Sequence, residues 1–290
     1  MGISASHREI QNRLLAICER FGYEAVLEYP LGNRRADVLA TRKDGKKVVF
    51  EVQLSRLTTA ESRRRRDWYV QHGIIFCWLV KDPPQIEVHP AYPFFRLEES
   101  GHFLAVDLGD MRKVGLDEFV AAFLQDCIRF NLRAWSPSAQ EVELIFFEKR
   151  CRSCGAVNHP FCVSGSLRTP CGLSFPFPDD RQPEYRHEIT ARAREIAYER
   201  ELNPANIFHD LVSGYSCFEC YRCSRPFASR DIVMSKVEAF YGYDRVCVAR
   251  SMVELDNDFV FDYPHWCYAP DGLSFCDSAL EKRSVLLEGN

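Results

Sequence analysis

Apolar residues recur at helical spacing across residues 10–21, at Ile10, Leu14, Leu15, Ile17 and Cys18, and Gly22 follows where a helix would stop. Three extended runs come next, residues 24–31, 36–41 and 47–54. Asp44-Gly45 supplies a hairpin turn between the last two, so the pattern predicts an antiparallel meander. Residues 58–72 are charged and helix-permissive. They lead through Gly73 into the apolar run 74–80, which is too short and too rich in β-formers for a helix. The expected order is α-β-β-β-α-β, closed by Pro83, Pro84, Pro90 and Pro93. Residues 103–108 predict a further strand. Residues 116–132, with Phe119, Phe123, Cys127 and Phe130, predict an amphipathic helix. A cysteine-rich region begins at Cys151, interrupted by a proline-rich stretch at 170–183 and a charged helical segment at 188–201.

A chain of 290 residues is long enough for two cores. The pattern divides it into an α/β domain over residues 1–140, with its core at about 5–95, and a cysteine-rich α+β region over 141–290. No apolar run approaches the roughly 18 to 20 residues that cross a bilayer, and residues 1–9 lack the apolar core of a signal peptide. The expectation is a cytoplasmic protein with no membrane partner. A formal net charge of −4 gives no global attraction for nucleic acid, so any phosphate-binding surface must be local.

Side chains alternate along a strand, so Glu51 and Gln53 share one face of a half-buried strand while Phe50 and Val52 take the other. The hairpin at Asp44-Gly45 returns the chain from the Asp37 strand to the Glu51 strand, which lets the two carboxylates face one site. Two carboxylates with water and phosphate oxygens suit magnesium or manganese, and such an ion serves phosphodiester cleavage. Gln53 would orient water or phosphate. Glu28 on the preceding strand and Glu9 on the first helix are candidate further ligands or acid–base groups. Taken alone, a D-xn-E-x-Q string more often marks surface carboxylates on an ordinary sheet.

The context is Arg34-Arg35-Ala36-Asp37-Val38-Leu39 followed by Phe50-Glu51-Val52-Gln53-Leu54-Ser55. In these R-x-A-D-V-L and F-E-x-Q-x-S elements the chain resembles the competence protein CoiA-like family of the PD-(D/E)xK nuclease superfamily. Arg65 and Tyr69 resemble the family's R-x3-Y segment, and residues 74–80, with Trp78, its following apolar strand. The resemblance spans roughly residues 5 to 95. It implies a restriction-endonuclease-like α/β fold, a magnesium-type catalytic cluster at Asp37, Glu51 and Gln53, and a role in DNA processing. The superfamily's usual lysine is Gln53 here, and a neutral amide cannot supply its charge.

Arg63, Arg64, Arg65 and Arg66 form a basic run. With Arg35 and Tyr69 it offers a phosphate-binding surface beside the carboxylates, and Trp68 offers a stacking plane for a base. The competing reading is a solvated helix face paired with Glu61 and Asp67.

Thirteen cysteines without a secretory signal point to reduced thiols and metal ligation. Cys151-x2-Cys154 and Cys220-x2-Cys223 are two knuckles whose four thiolates match a closed, structural zinc site. The roughly 65 residues between them exceed the usual zinc-ribbon spacing and imply a large insertion. Cys217 is an alternative ligand. Cys162, Cys171, His265, Cys267 and Cys276 are irregularly spaced, so burial as free thiols is the simpler reading and a second metal site the alternative. Cys18, Cys77 and Cys127 read as core.

The sequence thus predicts a metal-dependent deoxyribonuclease with an appended zinc module, acting on single- or double-stranded DNA alongside protein partners of DNA processing, uptake or defence. The alternatives are a binding module without turnover and a ribonuclease. A homodimer is left open.

Overall fold

The computed structural model describes residues 4–277 other than 33, 85–87, 101–102, 177–186, 211–214 and 256; at 34, 100, 208–210 and 215–217 it describes the backbone alone. The elements run α1 (Ala5–Arg20), β1 (Glu24–Leu31), β2 (Arg34–Thr41), β3 (Lys47–Gln53), α2 (Thr59–Gln71), β4 (Ile75–Val80), β5 (Phe94–Ser100), β6 (Phe103–Asp107), β7 (Lys113–Gly115), α3 (Leu116–Leu124) and β8 (Ile128–Ser136). They continue through β9 (Ala139–Phe147), β10 (Lys149–Arg150), β11 (Val157–Asn158), β12 (Phe161–Ser164), β13 (Leu167–Arg168), β14 (Ser174–Phe175), α4 (His187–Glu199), β15 (Asn206–Asp210), β16 (Tyr215–Glu219), α5 (Ser229–Phe240), β17 (Arg245–Glu254) and β18 (Phe259–Tyr268).

The chain divides into two compact units. One comprises the described residues up to Trp135, Pro170–Leu173 and those from Val260 on; the other comprises Ser136–Thr169 and Ser174–Phe259. The closing segment, assigned to the second region from sequence, packs with the first unit, where β18 pairs with β8.

Among the described residues of the first unit, a mixed sheet runs in the order β1-β2-β3-β4-β5-β6-β7. β1, β2 and β3 are antiparallel, as the Asp44-Gly45 turn predicts, and β4 lies parallel to β3 through the α2 crossover. α1 and α3 cover one face, burying Ile10, Leu14, Ile17, Leu116, Phe119 and Val120 against Val38, Phe50 and Leu79. α2 covers the other face with Tyr69 and Trp68 over Val49, Phe76 and Trp78. β3 is therefore sandwiched rather than half-buried, and Glu51 is 2% exposed. Both helices at the site are fixed by local caps. Ser4 Oγ accepts from His7 N at 3.2 Å, and Thr58 Oγ1 accepts from Glu61 N at 3.2 Å, in a T-x-x-E capping arrangement.

The helix expected over residues 116–132 stops at Leu124. Asp126 takes a left-handed φ of 58°, Cys127 N closes the turn on Ala122 O at 2.8 Å, and the chain leaves as β8. The helical spacing of Cys127 and Phe130 is overridden by pairing with β18, a partner far away in sequence.

In the second unit β9 is the central strand of a sheet ordered β12-β9-β17. α5 packs on β9 and β12, and α4 on β17. Its buried residues include Ile145, Phe147, Cys162 and Ala239.

Candidate active site and zinc centre

The site begins where two ladders fail. β2 pairs with β3 from Thr41↔Lys47 to Val38↔Phe50, and the pairing ends one step short of Asp37 and Glu51. Asp37 Oδ2 takes the amide that would otherwise lack a partner, Val52 N, at 2.7 Å. On the other side, Leu27↔Val38 and Tyr29↔Ala36 are paired while Glu28 between them is not, and Glu28 has φ 51°. A left-handed glutamate in a strand costs on the order of 1–3 kcal/mol and concentrates at functional sites. It breaks the in–out alternation and turns the Glu28 carboxylate toward Asp37.

α1 completes this side of the site. Gln11 Nε2 donates to Glu28 Oε1 at 2.5 Å and to Asp37 Oδ1 at 3.0 Å, and His7 Nε2 lies 3.2 Å from the same Asp37 oxygen. Ligand atoms of His7, Glu28 and Asp37 all lie within 4.8 Å of one another. His7 and Gln11 are four residues apart and share the helix face that meets the sheet. Glu9, two residues from each, is exposed and lies outside this cluster. The fully buried Gln11 was legible as a polar residue at a core-facing position of an otherwise apolar stripe; His7 had no such signal.

Glu51 is held from the α2 side. Tyr69 Oη donates to one carboxylate oxygen, and Arg65 Nη1 donates to the other at 3.2 Å. Arg65 also pairs with Glu61 at 2.9 Å and lies 5.4 Å over the Trp78 ring. Arg65 and Tyr69, assigned to nucleic acid from sequence, thus turn inward onto Glu51, one helical turn apart. Burial pushes the Glu51 carboxyl from its ordinary 4.5 up to about 8, helped by the charge of Asp37 and a hydrogen bond with it; Arg65 and Tyr69 pull the other way and lose. Between pH 4.5 and about 8 the folded protein holds a proton that the unfolded chain has released, so stability falls as pH rises through that window. Metal-free wild type is therefore expected to lose stability relative to Glu51→Gln from about pH 4.5 to about pH 8, checked by denaturant melts across the range.

The remaining predicted residues are less central. Gln53 Nε2 donates to Ser55 O at 3.1 Å and Ser55 Oγ at 2.7 Å. Arg35 is exposed and reaches Glu28 at 3.5 Å. Arg63 is exposed, while Arg64 pairs with Glu61. Arg66 pairs with Asp67 and donates to Tyr92 Oη at 2.6 Å. Trp68 stacks on His72 at 3.9 Å between ring centres, so that face is already occupied.

Residues 4–90 match the family described as competence protein CoiA, nuclease-like domain. The match covers α1 through β4, the segment that carries every carboxylate of the cluster. No curated protein matches the chain. A solved structure of a protein of unknown function from Silicibacter pomeroyi is 16% identical and covers 43% of this chain and 84% of that one; its TM-score of 0.26 carries no structural argument. Residues 4–90 are thus similar to a nuclease-like domain.

The CoiA-like cluster fits a divalent cation. Glu28 and Asp37 are hard oxygen donors grouped with His7, and Glu51 lies close enough to Asp37 for the two carboxyls to interact.

The second unit carries the predicted knuckles. Cys151 Sγ lies 3.7 Å from Cys223 Sγ, and Cys154 Sγ lies 3.6 Å from Cys220 Sγ, with all four sulfurs within 4.8 Å of one another. Zinc–sulfur bonds of about 2.3 Å in a tetrahedron put sulfurs about 3.8 Å apart, so the four thiols are disposed to hold zinc. The two turns are built alike: Cys151 N bonds Ala156 O at 2.8 Å and Gly155 N bonds Cys151 O at 2.9 Å, while Cys220 N bonds Arg225 O and Ser224 N bonds Cys220 O, both at 2.9 Å. Gly155 (φ 74°) and Ser224 (φ 53°) take the matching left-handed step. Asn158, buried, donates to Cys220 Sγ at 3.5 Å and accepts from Tyr221 N at 2.8 Å, joining the two knuckles. The Cys217 side chain, the alternative ligand, lies outside the described residues.

Among the described residues, no helix is long and apolar enough to cross a membrane.

Proposed function

We propose that the CoiA-like unit is a divalent-metal-dependent nuclease that hydrolyses DNA phosphodiester bonds. The observation that carries this reading is that Asp37, at the end of the β2–β3 ladder, meets Glu28 on one side and interacts with Glu51 on the other, in a segment that matches a family described as nuclease-like. Magnesium or manganese would supply Lewis acidity at a phosphoryl oxygen and a water of lowered pKa. Asp37, Glu28 and Glu51 would hold it, and Gln11 fixes the first two in place.

Arg65 answers the missing lysine. Its guanidinium sits against Glu51 and supplies a fixed positive charge at the cluster that Gln53 does not. The exposed Arg35 and Arg63 would meet DNA phosphates. The deciding assay is cleavage of matched single-stranded DNA, double-stranded DNA and RNA with magnesium or manganese, comparing wild type with Glu51→Gln. Preferential cleavage of RNA would move the substrate class.

A second reading is a DNA-binding module without turnover, favoured by the Gln53 amide being engaged by Ser55. It requires salt-sensitive binding with no metal-dependent cutting.

The proton on Glu51 must leave before the carboxylate can bind a cation. Apparent manganese affinity is therefore expected to rise by up to about tenfold per pH unit below pH 8 and level off above it. Titration calorimetry at several pH values checks this; a flat profile in wild type would show that Glu51 is not a ligand.

A further inference from the structure

We propose that Cys171, His265, Cys267 and Cys276 form a second zinc site, of three thiolates and one imidazole, built into the same unit as the nuclease-like domain. The ligand atoms of all four residues lie within 4.8 Å of one another. Cys171 Sγ is 3.6 Å from His265 Nε2 and 3.6 Å from Cys276 Sγ. Tetrahedral zinc, with bonds of about 2.3 Å to sulfur and about 2.0 Å to nitrogen, requires edges of about 3.8 and 3.5 Å. A disulfide would bring two sulfurs to about 2.0 Å, so the cluster has the spacing of ligands rather than of a cross-link.

The chain builds these ligands from three separate segments. His265 and Cys267 are two apart on β18 and so point to one face, and both are buried. Cys171 sits at the turn between β13 and β14, where Gly172 takes φ 85°. Cys276 follows the turn after β18, fully buried. Three thiols and an imidazole converging away from solvent are a favourable ligand set for one soft-ligand cation.

The surroundings are those of a metal site. His265 Nδ1 lies 2.8 Å from Tyr263 O, which places its proton on Nδ1 and leaves the Nε2 lone pair facing the sulfurs. Three thiolates and a zinc ion carry one net negative charge. Arg112 stands beside them, donating through Nη1 to Cys171 O at 3.2 Å and to Cys171 Sγ at 3.7 Å. The site would fasten residues 170–173 and the end of β18 into the first unit, and it uses none of residues 4–90.

The experiment is zinc analysis of the full-length protein, joined to zinc K-edge X-ray absorption. Wild type is expected to carry two zinc ions per chain with an average shell of about 3.5 sulfurs and 0.5 imidazole nitrogens, the mean of a four-thiolate site and a site with three thiolates and one imidazole. Cys267→Ser and Cys220→Ser should each lose one ion. A single zinc with an all-sulfur shell in wild type would overturn the proposal, as would two zinc ions retained in Cys267→Ser. If Cys267→Ser does not fold, the wild-type shell decides the matter alone.

Discussion

Glu51→Gln is expected to reduce DNA cleavage by on the order of 10³-fold or more, about 4 kcal/mol of barrier, while leaving the protein folded. The substitution separates chemistry from stability because of where Glu51 sits. Without a cation its carboxyl holds a proton up to about pH 8, so a neutral amide of the same shape replaces a group that is already mostly neutral at pH 7. The amide oxygen still accepts from Tyr69, although one of its two positions now meets the guanidinium of Arg65 with a donor. Asp37→Asn should lose comparable activity but is a less clean test. Three donors, His7, Gln11 and Val52 N, converge on that carboxylate, and an amide leaves one of its positions facing donors at a cost of about 1–3 kcal/mol. Single-turnover cleavage beside thermal melts of both variants checks the pair; undiminished cleavage in both would sink the proposed site.

The part of the fold written in local pattern was legible: the α1 stripe, the meander closed at Asp44-Gly45 and the apolar β4 each follow from periodicity and turn chemistry. The family resemblance read from the R-x-A-D-V-L and F-E-x-Q-x-S elements agrees with the match over residues 4–90. What escaped was set by partners far along the chain. β8 looks helical through Phe130 until β18 arrives beside it, and β3 looks half-buried until α2 closes over Glu51. The same limit governed the roles of charged residues. A run of four arginines looks like a phosphate surface, yet its spacing does not tell that Arg65 faces a buried carboxylate while Arg63 faces water. Charge alone singles out Glu9 on α1, whereas the helix face that meets the sheet carries His7 and Gln11.

The cysteine pairs show the reverse case, where spacing alone named the knuckles although about 65 residues separate them. Their removal should have the largest structural effect in the molecule. Apparent binding free energies of structural zinc at four-ligand sites reach about 10–16 kcal/mol, against total domain stabilities of about 5–15 kcal/mol. The second unit has a sheet of only three strands, β12-β9-β17, beside two-stranded pieces, and at its knuckles chain segments 66 residues apart meet, Cys154 beside Cys220. Cys220→Ser is therefore expected to unfold that unit at 37 °C. A chelator would not make the point, because it would also strip any zinc held at Cys171 and His265. Hydrogen exchange read peptide by peptide does. Strands β9, β12 and β17 should lose protection in Cys220→Ser while β2 and β3 keep theirs, since they draw their core from α1, α2 and α3. Unchanged protection in β9 would mean that the four thiols hold no structural zinc. Loss of protection in β3 as well would mean that the CoiA-like core depends on the zinc module to fold.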